Sequence, residues 1–331
     1  MNSADAALLR ALRAATVHIP PTDLAAQLAS TRSAVAAQIA ELRDAGFEID
    51  ERPGLGYRLI AAPDRLIAAD LQSRLGNCAL VREILVFAET DSTNDRAAHL
   101  GNSGAAGGLA IFAERQNAGR GRFGRRWESE SHLGLWFSLL LRPAFPQERW
   151  PRLTTWAAVS IAAAIERSLG VRAEIKWPND IYADGRKVAG ILIETSLDRA
   201  RENFAVVGIG VNANHGPGDF PGDLATKATS LRAAAGRTVD RTALAATILR
   251  ELDARYFDID RRFHELTAEA ARRSVLLGSW VRVRAGDSLI EGIAESLDAD
   301  GQLLVRTGNG ALRTLSAGEV TLGGADKAHE P

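Results

Sequence analysis

The first 62 residues change from a helical to a strand pattern, and this change limits the possible folds more than any other feature of the chain. Apolar residues recur at helical spacing in three short segments before residue 46, most clearly as Val35, Ile39 and Leu42. Residues 47–60 then alternate as strands around a turn at Pro53-Gly54. Three helices followed by a β-hairpin predict a winged helix-turn-helix domain over residues 1–62.

In a winged helix-turn-helix the third helix and the hairpin contact DNA. We expect Thr22 to cap the second helix, and Ser30 or Thr31 to cap the third. A small helical interaction domain is the alternative, because residues 1–62 hold six arginines, no lysine and seven acids. If the domain binds DNA, the predicted contacts are Thr31, Arg32, Ser33, Gln38, Arg52 and Arg58.

Two further units follow this domain. Residues 64–272 mix apolar strand patterns with long helical ones, which predicts a central mixed-sheet α/β domain. Residues 274–324 show short alternating strands with turns at DADG and TGNG, which is typical of a small SH3-like β-barrel. The predicted fold class is therefore multi-domain α+β.

Composition excludes several classes of function. The formal net charge of −1 gives no global field toward nucleic acid or anionic lipid. Cys78 is the only cysteine and the six histidines are scattered, so we expect no disulfide and no built-in transition metal. The N-terminus does not resemble a signal peptide, and the uncharged run 153–165 is too short to span a bilayer. We expect a cytoplasmic protein with no membrane partner.

The central unit holds polar segments that core formation does not explain. ETDSTNDRA follows an apolar strand, which suits either recognition of a small polar ligand or simple helix capping. RQNAGRGRFGRRW, residues 115–127, combines arginines with Gly119, Gly121 and Gly124, and these glycines satisfy G-x-G-x-x-G. It lacks the acidic residue of a dinucleotide fold and the Gly-Lys-Ser/Thr of a P-loop. The segment suits a loop that orders around an anion, and the alternatives are a solvated basic loop or an RGG-like nucleic-acid segment.

Two more polar segments lie further along. KWPNDIYADGRKVAGILIE, residues 176–194, predicts a strand–turn–strand with its tip at Asp184-Gly185, and Lys187 then begins an apolar strand. VVGIGVNAN, residues 206–214, places two glycines in a strand, where a ligand can lie against the backbone.

Taken together, these segments resemble the biotin–protein ligases, and the whole chain resembles their bifunctional bacterial form, the biotin operon repressors. The motifs that carry the resemblance are DSTN, Q-x-A-G-R-G-R-x-G-R-x-W, KWPND, RK-x-AGIL-x-E and GIG-x-N. It implies a biotin–[acetyl-CoA-carboxylase] ligase that binds ATP with Mg²⁺. Biotin carboxylate would attack the α-phosphorus to form biotinyl-5′-AMP, and a carrier lysine would then displace AMP. No enzyme nucleophile is needed, so catalysis would rest on positioning and charge neutralisation.

The resemblance also assigns site residues. The implied catalytic residues are Lys187, Arg122 and Asp180, the last acting on Mg²⁺ or on the incoming lysine. The implied biotin contacts are Ser92, Thr93, Asn94, Gln116, Arg120, Gly121, Arg122, Lys187, Gly208 and Gly210. The implied ATP and adenylate contacts are Arg122, Trp127, Lys176, Asn179 and Asn212. The glycine-rich segment would order over the adenylate and limit its escape.

The implied partners are the biotin carboxyl carrier protein of acetyl-CoA carboxylase, a second copy of the chain, and operator DNA of biotin genes. The third helix departs from the family pattern, since it lacks lysine and histidine where basic contacts are expected. Three alternatives stay open: a ligase whose N-terminal domain does not bind DNA, a transcription factor that only senses biotin, and a lipoate–protein ligase. The isomer of the Trp177-Pro178 bond is not fixed by the sequence.

Overall fold

The structure is a computed structural model that describes residues 3–197 and 203–323. Within these ranges, buried apolar residues form one cluster near the N-terminus, two on the faces of a central sheet and one near the C-terminus. None of the described helices combines the length and the apolar character that a membrane crossing requires.

The N-terminal segment is a three-helix unit with a β-hairpin, which confirms the predicted winged helix-turn-helix. Its elements are α1 (Ser3–Ala14), α2 (Pro21–Gln27), α3 (Arg32–Asp44), β1 (Glu48–Arg52) and β2 (Gly56–Ala61). Thr31 caps α3 as predicted, since its hydroxyl accepts a hydrogen bond from the Ala34 amide at 3.2 Å. The expected cap at Thr22 is wrong, because α2 begins one residue earlier, at Pro21, where proline's fixed φ angle suits a first helical position.

The central unit is built on a seven-stranded mixed sheet, as predicted, in the order β3-β4-β5-β9-β8-β7-β6. Only the β3–β4 pair is parallel. Its strands are β3 (Glu83–Thr90), β4 (Leu109–Gln116), β5 (Gly134–Leu141), β6 (Glu174–Lys176), β7 (Asp180–Ala183), β8 (Arg186–Ser196) and β9 (Phe204–Asn212). Its helices are α4 (Ala68–Leu75), α5 (Thr93–Asn102), α6 (Arg152–Leu169), α7 (Leu224–Lys227), α8 (Leu231–Ala235), α9 (Arg241–Arg255), α10 (Asp258–Arg261) and α11 (Phe263–Arg272).

The helices cover the sheet unequally. The larger apolar cluster lies under α6 and α9, whereas α5 covers the other face through a smaller cluster that includes Phe204. The helical sequence pattern from Arg241 to Phe263 does not form one helix: α9 ends at Arg255, and α10 and α11 follow as separate short helices. The pocket described below therefore forms where β8 and β9 are left uncovered.

The C-terminal unit is a five-stranded antiparallel sheet, the small all-β domain expected from the sequence. Its strands are β10 (Trp280–Ala285), β11 (Ser288–Leu297), β12 (Leu303–Thr307), β13 (Leu312–Leu315) and β14 (Glu319–Leu322). Trp177 of the central unit packs into its apolar cluster and donates its indole N–H to the Gly301 carbonyl at 3.0 Å. Trp177 therefore anchors the segment before β7 on the C-terminal unit, and its bond to Pro178 is cis.

A buried ionic cluster fixes the segment that follows the N-terminal unit to the central sheet. Arg241 is 1% exposed and donates to Glu114 on β4 at 2.8 Å and to Asp64 at 3.0 Å. Glu114 also accepts the backbone N–H of Leu66 at 2.6 Å. Burial raises the pKa of Glu114, but the hydrogen bonds from Arg241 and the Leu66 amide, together with the charge of Arg241, outweigh it and hold that pKa below its ordinary value. The connection between the two units is therefore held to the strand that ends in Gln116.

Candidate functional site

A pocket of about 720 Å³ opens over β8 and β9 and is closed on its other sides by α5, the arginine-rich segment and β14. The sequence predictions for the biotin and nucleotide sites converge there, although they come from four separate segments. The pocket lining includes every one of them: Ser92, Thr93, Asn94, Gln116, Arg120, Gly121, Arg122, Trp127, Lys176, Asn179, Asp180, Lys187, Gly208, Gly210 and Asn212.

The arginine-rich segment forms a small lid, residues 119–127, over this pocket. It closes on itself at its base, where the Trp127 amide donates to the Gly119 carbonyl at 2.9 Å. Its tip is left-handed: Phe123 has φ +58° and Gly124 has φ +71°. Phe123 is an exposed aromatic side chain in a backbone conformation that non-glycine residues seldom adopt, so the lid tip is held in a strained turn.

The arginines of residues 115–127 are not a free basic patch. Four of them face carboxylates within 4 Å: Arg115 faces Glu130, Arg120 faces Asp95 and Glu194, Arg125 faces Glu319, and Arg126 faces Glu128. Arg122 instead donates to the neutral amide oxygen of Asn179 at 3.0 Å. Burial lowers the pKa of Arg122 below its ordinary value, so this half-buried guanidinium would gain from an anionic partner.

Trp127 lies inside the pocket, against the two strands that form its floor. An added Cβ at Gly210 would meet its ring at 2.6 Å, and one at Gly190 would meet it at 2.8 Å, so only glycine at both positions admits the indole. The Lys187 ammonium sits 5.1 Å from the ring centroid, which places a cation beside the aromatic face. Trp127 thus has one face on the sheet and belongs to the lid through its backbone.

Lys187 forms the cationic centre of the pocket. Its ammonium lies 2.6 Å from Asp180 Oδ1, with both side chains about three-quarters buried. Asn179 donates its side-chain N–H to the Ile191 carbonyl at 2.9 Å, which fixes the amide that receives Arg122. Burial, with Asp180 nearby, raises the pKa of Tyr182 to about 12, so this phenol stays protonated near neutral pH.

The polar end of the pocket is formed by the start of α5 and the end of β4. Ser92 occupies the N-cap position of α5 without making a side-chain capping bond, so the capping interpretation does not account for this segment. Thr93 donates its backbone N–H to Gln116 Oε1 at 2.8 Å, and Ser138 lies 2.7 Å from the Thr93 hydroxyl. Sequence reasoning missed Ser138. Its signal was a lone polar residue within the apolar strand LWFSLLL.

The opposite end of the pocket is aromatic. His215 is 5% exposed, stacks on Phe220 with ring centroids 4.8 Å apart, and meets Trp136 edge-on at 6.0 Å. Burial lowers the pKa of His215 to about 4, so its ring is neutral at physiological pH. The amide of Asn212 donates to the Thr229 carbonyl at 3.2 Å, which braces the segment between β9 and α8. His215 and Phe220 were not among the predicted site residues.

The predicted DNA contacts lie on α3 and the hairpin. Arg32 and Ser33 are exposed in the first turn of α3, and Gln38 is partly exposed on the same helix. Thr31 serves as the helix cap, and Arg52 on the hairpin pairs with Asp50 at 3.1 Å. Arg58 is only partly exposed and its Nε is buried without a hydrogen-bond partner. Of the predicted arginine contacts, Arg32 is the one that lies on α3, and its side chain is exposed.

Three family models match the chain, in the same order as its three structural units. Residues 6–58 match an HTH domain, residues 86–212 match the biotin/lipoate A/B protein ligase family, and residues 276–323 match the biotin protein ligase C-terminal domain.

Curated relatives and solved structures agree with these matches. The bifunctional ligase/repressor BirA of Bacillus subtilis is 36% identical over 297 residues, which cover 89% of this chain and 91% of that protein. The biotin--[acetyl-CoA-carboxylase] ligase of Mycobacterium tuberculosis is 34% identical, over 72% of this chain and 88% of that protein. The Aquifex aeolicus biotin protein ligase in complex with biotin and ATP is 31% identical, has a TM-score of 0.63, and is matched over 72% of this chain and 97% of its own.

Proposed function

This chain belongs to the biotin protein ligase family, in its bifunctional ligase/repressor form, and we propose that its central pocket activates biotin with ATP and passes it to a carrier lysine. In the first step a carboxylate oxygen of biotin attacks the α-phosphorus of ATP, and pyrophosphate leaves. In the second step the lysine amine attacks the acyl carbon of the mixed anhydride, and AMP leaves. Mg²⁺ enters with ATP, as part of that substrate.

One observation carries this proposal: a single pocket holds three chemically different regions. Thr93 and Gln116 form a neutral polar end, Lys187 and Arg122 a cationic middle, and Trp127 an aromatic platform. Biotin has a neutral polar ring system that an uncharged chain connects to a carboxylate. Adenylation joins this carboxylate to the phosphate of AMP. These three regions match the three kinds of group in biotinyl-5′-AMP, which are a neutral polar ring system, an acyl phosphate and an adenine.

Lys187 neutralises the charge at the reacting carboxylate. In the free pocket its ammonium pairs with Asp180, so an incoming carboxylate replaces this partner. Asp180 is then free to act on the Mg²⁺ that arrives with ATP or on the incoming carrier lysine. Arg122 lies next to this pair through Asn179 and takes the phosphate oxygens, since a guanidinium fork suits a phosphoryl group.

The lid keeps the mixed anhydride away from water. Arg120 holds one side of the lid to Asp95 and Glu194, and Arg125 holds the other side to Glu319 of the C-terminal unit. Arg120 therefore contributes through lid position, and the direct charge comes from Arg122. Retention of the adenylate until a carrier docks follows from this closure.

The acceptor is the biotin carboxyl carrier protein of acetyl-CoA carboxylase, and we place the reaction in the cytoplasm, where ATP and this carrier are found. We further propose that two copies of the chain pair side by side through their central sheets when adenylate is bound. The edge of β8 beyond Ile191, where the pairing with β7 and the Asn179 hydrogen bonds end, supports such a pairing.

Biotin-dependent exchange of pyrophosphate into ATP tests the ligase assignment. We expect exchange with biotin and none with lipoate, followed by labelling of one lysine when a purified carrier domain is added. Exchange that requires lipoate instead of biotin would establish the lipoate alternative. Binding of biotin without any pyrophosphate exchange would indicate a protein that only senses biotin and would refute the ligase assignment.

The N-terminal unit is proposed to bind operator DNA upstream of biotin genes. The exposed Arg32 and Ser33 at the start of α3 support this, since that end of the helix is the one that approaches base edges. We expect a gel shift that strengthens with biotin and ATP and is lost in Arg32→Ala. Arg10→Ala is the matched control, because Arg10 is an exposed arginine on α1. No shift at modest salt in the wild type would leave a ligase whose N-terminal unit does not bind DNA.

A further inference from the structure

A chain of close polar contacts runs behind the polar end of the pocket and links residues from four elements. Glu194 on β8 accepts from Asn94 Nδ2 at 2.6 Å. Ser138 Oγ on β5 lies 2.6 Å from Asn94 Oδ1 and 2.7 Å from Thr93 Oγ1. The Thr93 hydroxyl in turn lies 3.1 Å from Gln116 Oε1. Ser138 is fully buried, so its hydroxyl has only these partners to satisfy it.

The carboxylate at one end sets the direction of the chain. Glu194 lies 3.3 Å from the guanidinium of Arg120, and as an anion it only accepts hydrogen bonds. Asn94 must therefore turn its NH₂ group toward Glu194 and its oxygen toward Ser138. The reversed amide would set two oxygens 2.6 Å apart, so Asn94 has one orientation. Gly208 permits this position, since a Cβ there would come within 2.2 Å of Asn94 Oδ1.

Ser138 extends this direction of hydrogen-bond donation to Thr93, because a hydroxyl has a single proton. The oxygen of Asn94 only accepts, so Ser138 gives its proton to Asn94. Ser138 must then accept the proton of the Thr93 hydroxyl across their 2.7 Å contact. The Thr93 oxygen has no proton left for Gln116 or for a ligand, and it can only accept.

Gln116 is fixed by the same logic. Its oxygen accepts the backbone N–H of Thr93 at 2.8 Å, so its NH₂ group points away, and one N–H reaches Ser129 Oγ at 2.9 Å. The second amide N–H is left for a ligand. The pair formed by Thr93 and Gln116 therefore offers a ligand one acceptor, on Thr93, and one donor, on Gln116, beside the hydroxyl of Ser92.

We propose that Glu194 and Ser138 are positioning residues that fix the hydrogen-bond polarity of the head-group site and so select a cyclic urea. This inference rests on the proposed function. In the edge of a cyclic urea an N–H donor stands beside a C=O acceptor, which complements an acceptor beside a donor. Neither residue needs to touch the ligand, and Ser138 lies behind the pocket wall.

The test uses biotin and two analogues in which one or the other ring N–H is replaced by oxygen. Binding is measured by isothermal titration calorimetry to the full chain without ATP. In the wild type we expect the analogue whose oxygen faces Thr93 to bind about 100-fold more weakly than biotin, because two acceptors then meet. In Ser138→Ala the Thr93 proton is free to turn, and the ratio should fall to about tenfold or less, while biotin itself binds about tenfold more weakly.

Exchanging the carboxylate and the amide between positions 194 and 94 tests the direction of hydrogen-bond donation. Glu194→Gln removes the obligate acceptor and should lower the ratio as Ser138→Ala does. In the double variant Asn94→Asp with Glu194→Gln, the new carboxylate at position 94 accepts from Ser138, so the wild-type ratio should return. Glu295→Gln is the matched control, since Glu295 is also a strand glutamate paired with an arginine, Arg306, but lies in the C-terminal unit. It should leave the ratio unchanged.

The outcomes separate this inference from the proposed function. If the wild type does not bind biotin, the proposed function fails and this inference fails with it. If biotin binds but the ratio is the same in the wild type, Ser138→Ala and Glu194→Gln, only the polarity argument is refuted. A double variant that stays at the ratio of Glu194→Gln would also refute it.

Discussion

Replacing Gly210 with alanine should weaken the use of ATP more than the use of biotin. Gly210 lies on β9, and a Cβ there would approach three atoms of the Trp127 ring, Cε2, Nε1 and Cζ2, at 2.6, 2.7 and 2.8 Å. Ordinary contacts between such atoms begin at about 3.5 Å. Because β9 is a central strand paired on both sides, the indole must move rather than the backbone.

The magnitude follows from this overlap. The ring has to retreat by about 1 Å, and overpacking of this kind costs roughly 1–3 kcal/mol. If Trp127 is the platform for the nucleotide, that cost appears as a rise in KM for ATP of about 5- to 150-fold. KM for biotin should change much less, because the Thr93 and Gln116 end of the pocket does not contact this ring.

The assay is biotin-dependent pyrophosphate exchange, with KM determined for each substrate in turn. Gly208→Ala is the companion variant, two residues earlier on the same face of β9. Its Cβ would strike Asn94 at 2.2 Å, so KM for biotin should rise and KM for ATP should not. Gly308→Ala is the control, since nothing lies within 4 Å of a Cβ at that exposed turn.

Two results would refute the reasoning. Equal effects of Gly210→Ala on both substrates would mean that Trp127 does not separate the nucleotide from biotin. An unchanged KM for ATP, in a variant whose thermal stability is also unchanged, would mean that the indole leaves the strand at no cost. The first result would refute the role of Trp127 in binding the nucleotide, and the second would refute the tight contact between its indole and Gly210.

Four other changes test separate parts of the molecule. Lys187→Ala should reduce the rate of adenylate formation by about 10²- to 10³-fold, and near-normal pyrophosphate exchange would disprove its role. Arg122→Gly should release biotinyl-5′-AMP and label lysines on bystander proteins, whereas tight retention of the adenylate would disprove the contact of Arg122 with the phosphate. Arg241→Met leaves Glu114 buried without its cation and should lower the free energy of unfolding by about 3–5 kcal/mol in urea titrations, with the exposed Arg232→Met as control. Burial lowers the pKa of His215 to about 4 in the folded protein, whereas the unfolded chain binds a proton on this ring below about pH 6.5. The neutral ring therefore adds its full contribution to the free energy of unfolding above pH 6.5. About 3 kcal/mol of that free energy is lost as the pH falls to 4. His215→Phe should flatten that fall, and an identical pH dependence of unfolding in both proteins would refute the assignment.

The segments that line the pocket could be predicted from the sequence, because they are short polar runs beside apolar strands. Polar side chains such as those of Lys187 and Gln116 interrupt the apolar pattern of the strands, so each segment can be recognised from its own residues. Glycines at 208 and 210 were visible for the same reason, since glycine weakens a strand unless something must come close. The turn at Asp184-Gly185 is also local, and the structure places it where the spacing predicted.

Contacts between distant segments could not be predicted in this way. Arg241 and Glu114 are 127 residues apart, and no periodicity relates them. The break in the helix after Arg255 has no proline or glycine to signal it, because tertiary packing decides it. Ser138 could be recognised in the sequence as a polar residue in an apolar strand. Its contacts with Thr93 and Asn94 on α5, which determine its role, could not be predicted.

The arginine-rich segment shows how far charge counting reaches. Five arginines between residues 115 and 127, without an acid, favoured either an anion clamp or a nucleic-acid strip. The structure brings carboxylates to four of these arginines, from α5, β8, β14 and the segment after the lid. A strip whose charges are paired in this way has little field left for a polyanion. Arg122 donates to a neutral amide instead and is half-buried in the pocket, so it is the arginine of this segment whose charge is best placed for a single phosphate. The pairing of the other four therefore explains why a segment so basic can serve one small substrate.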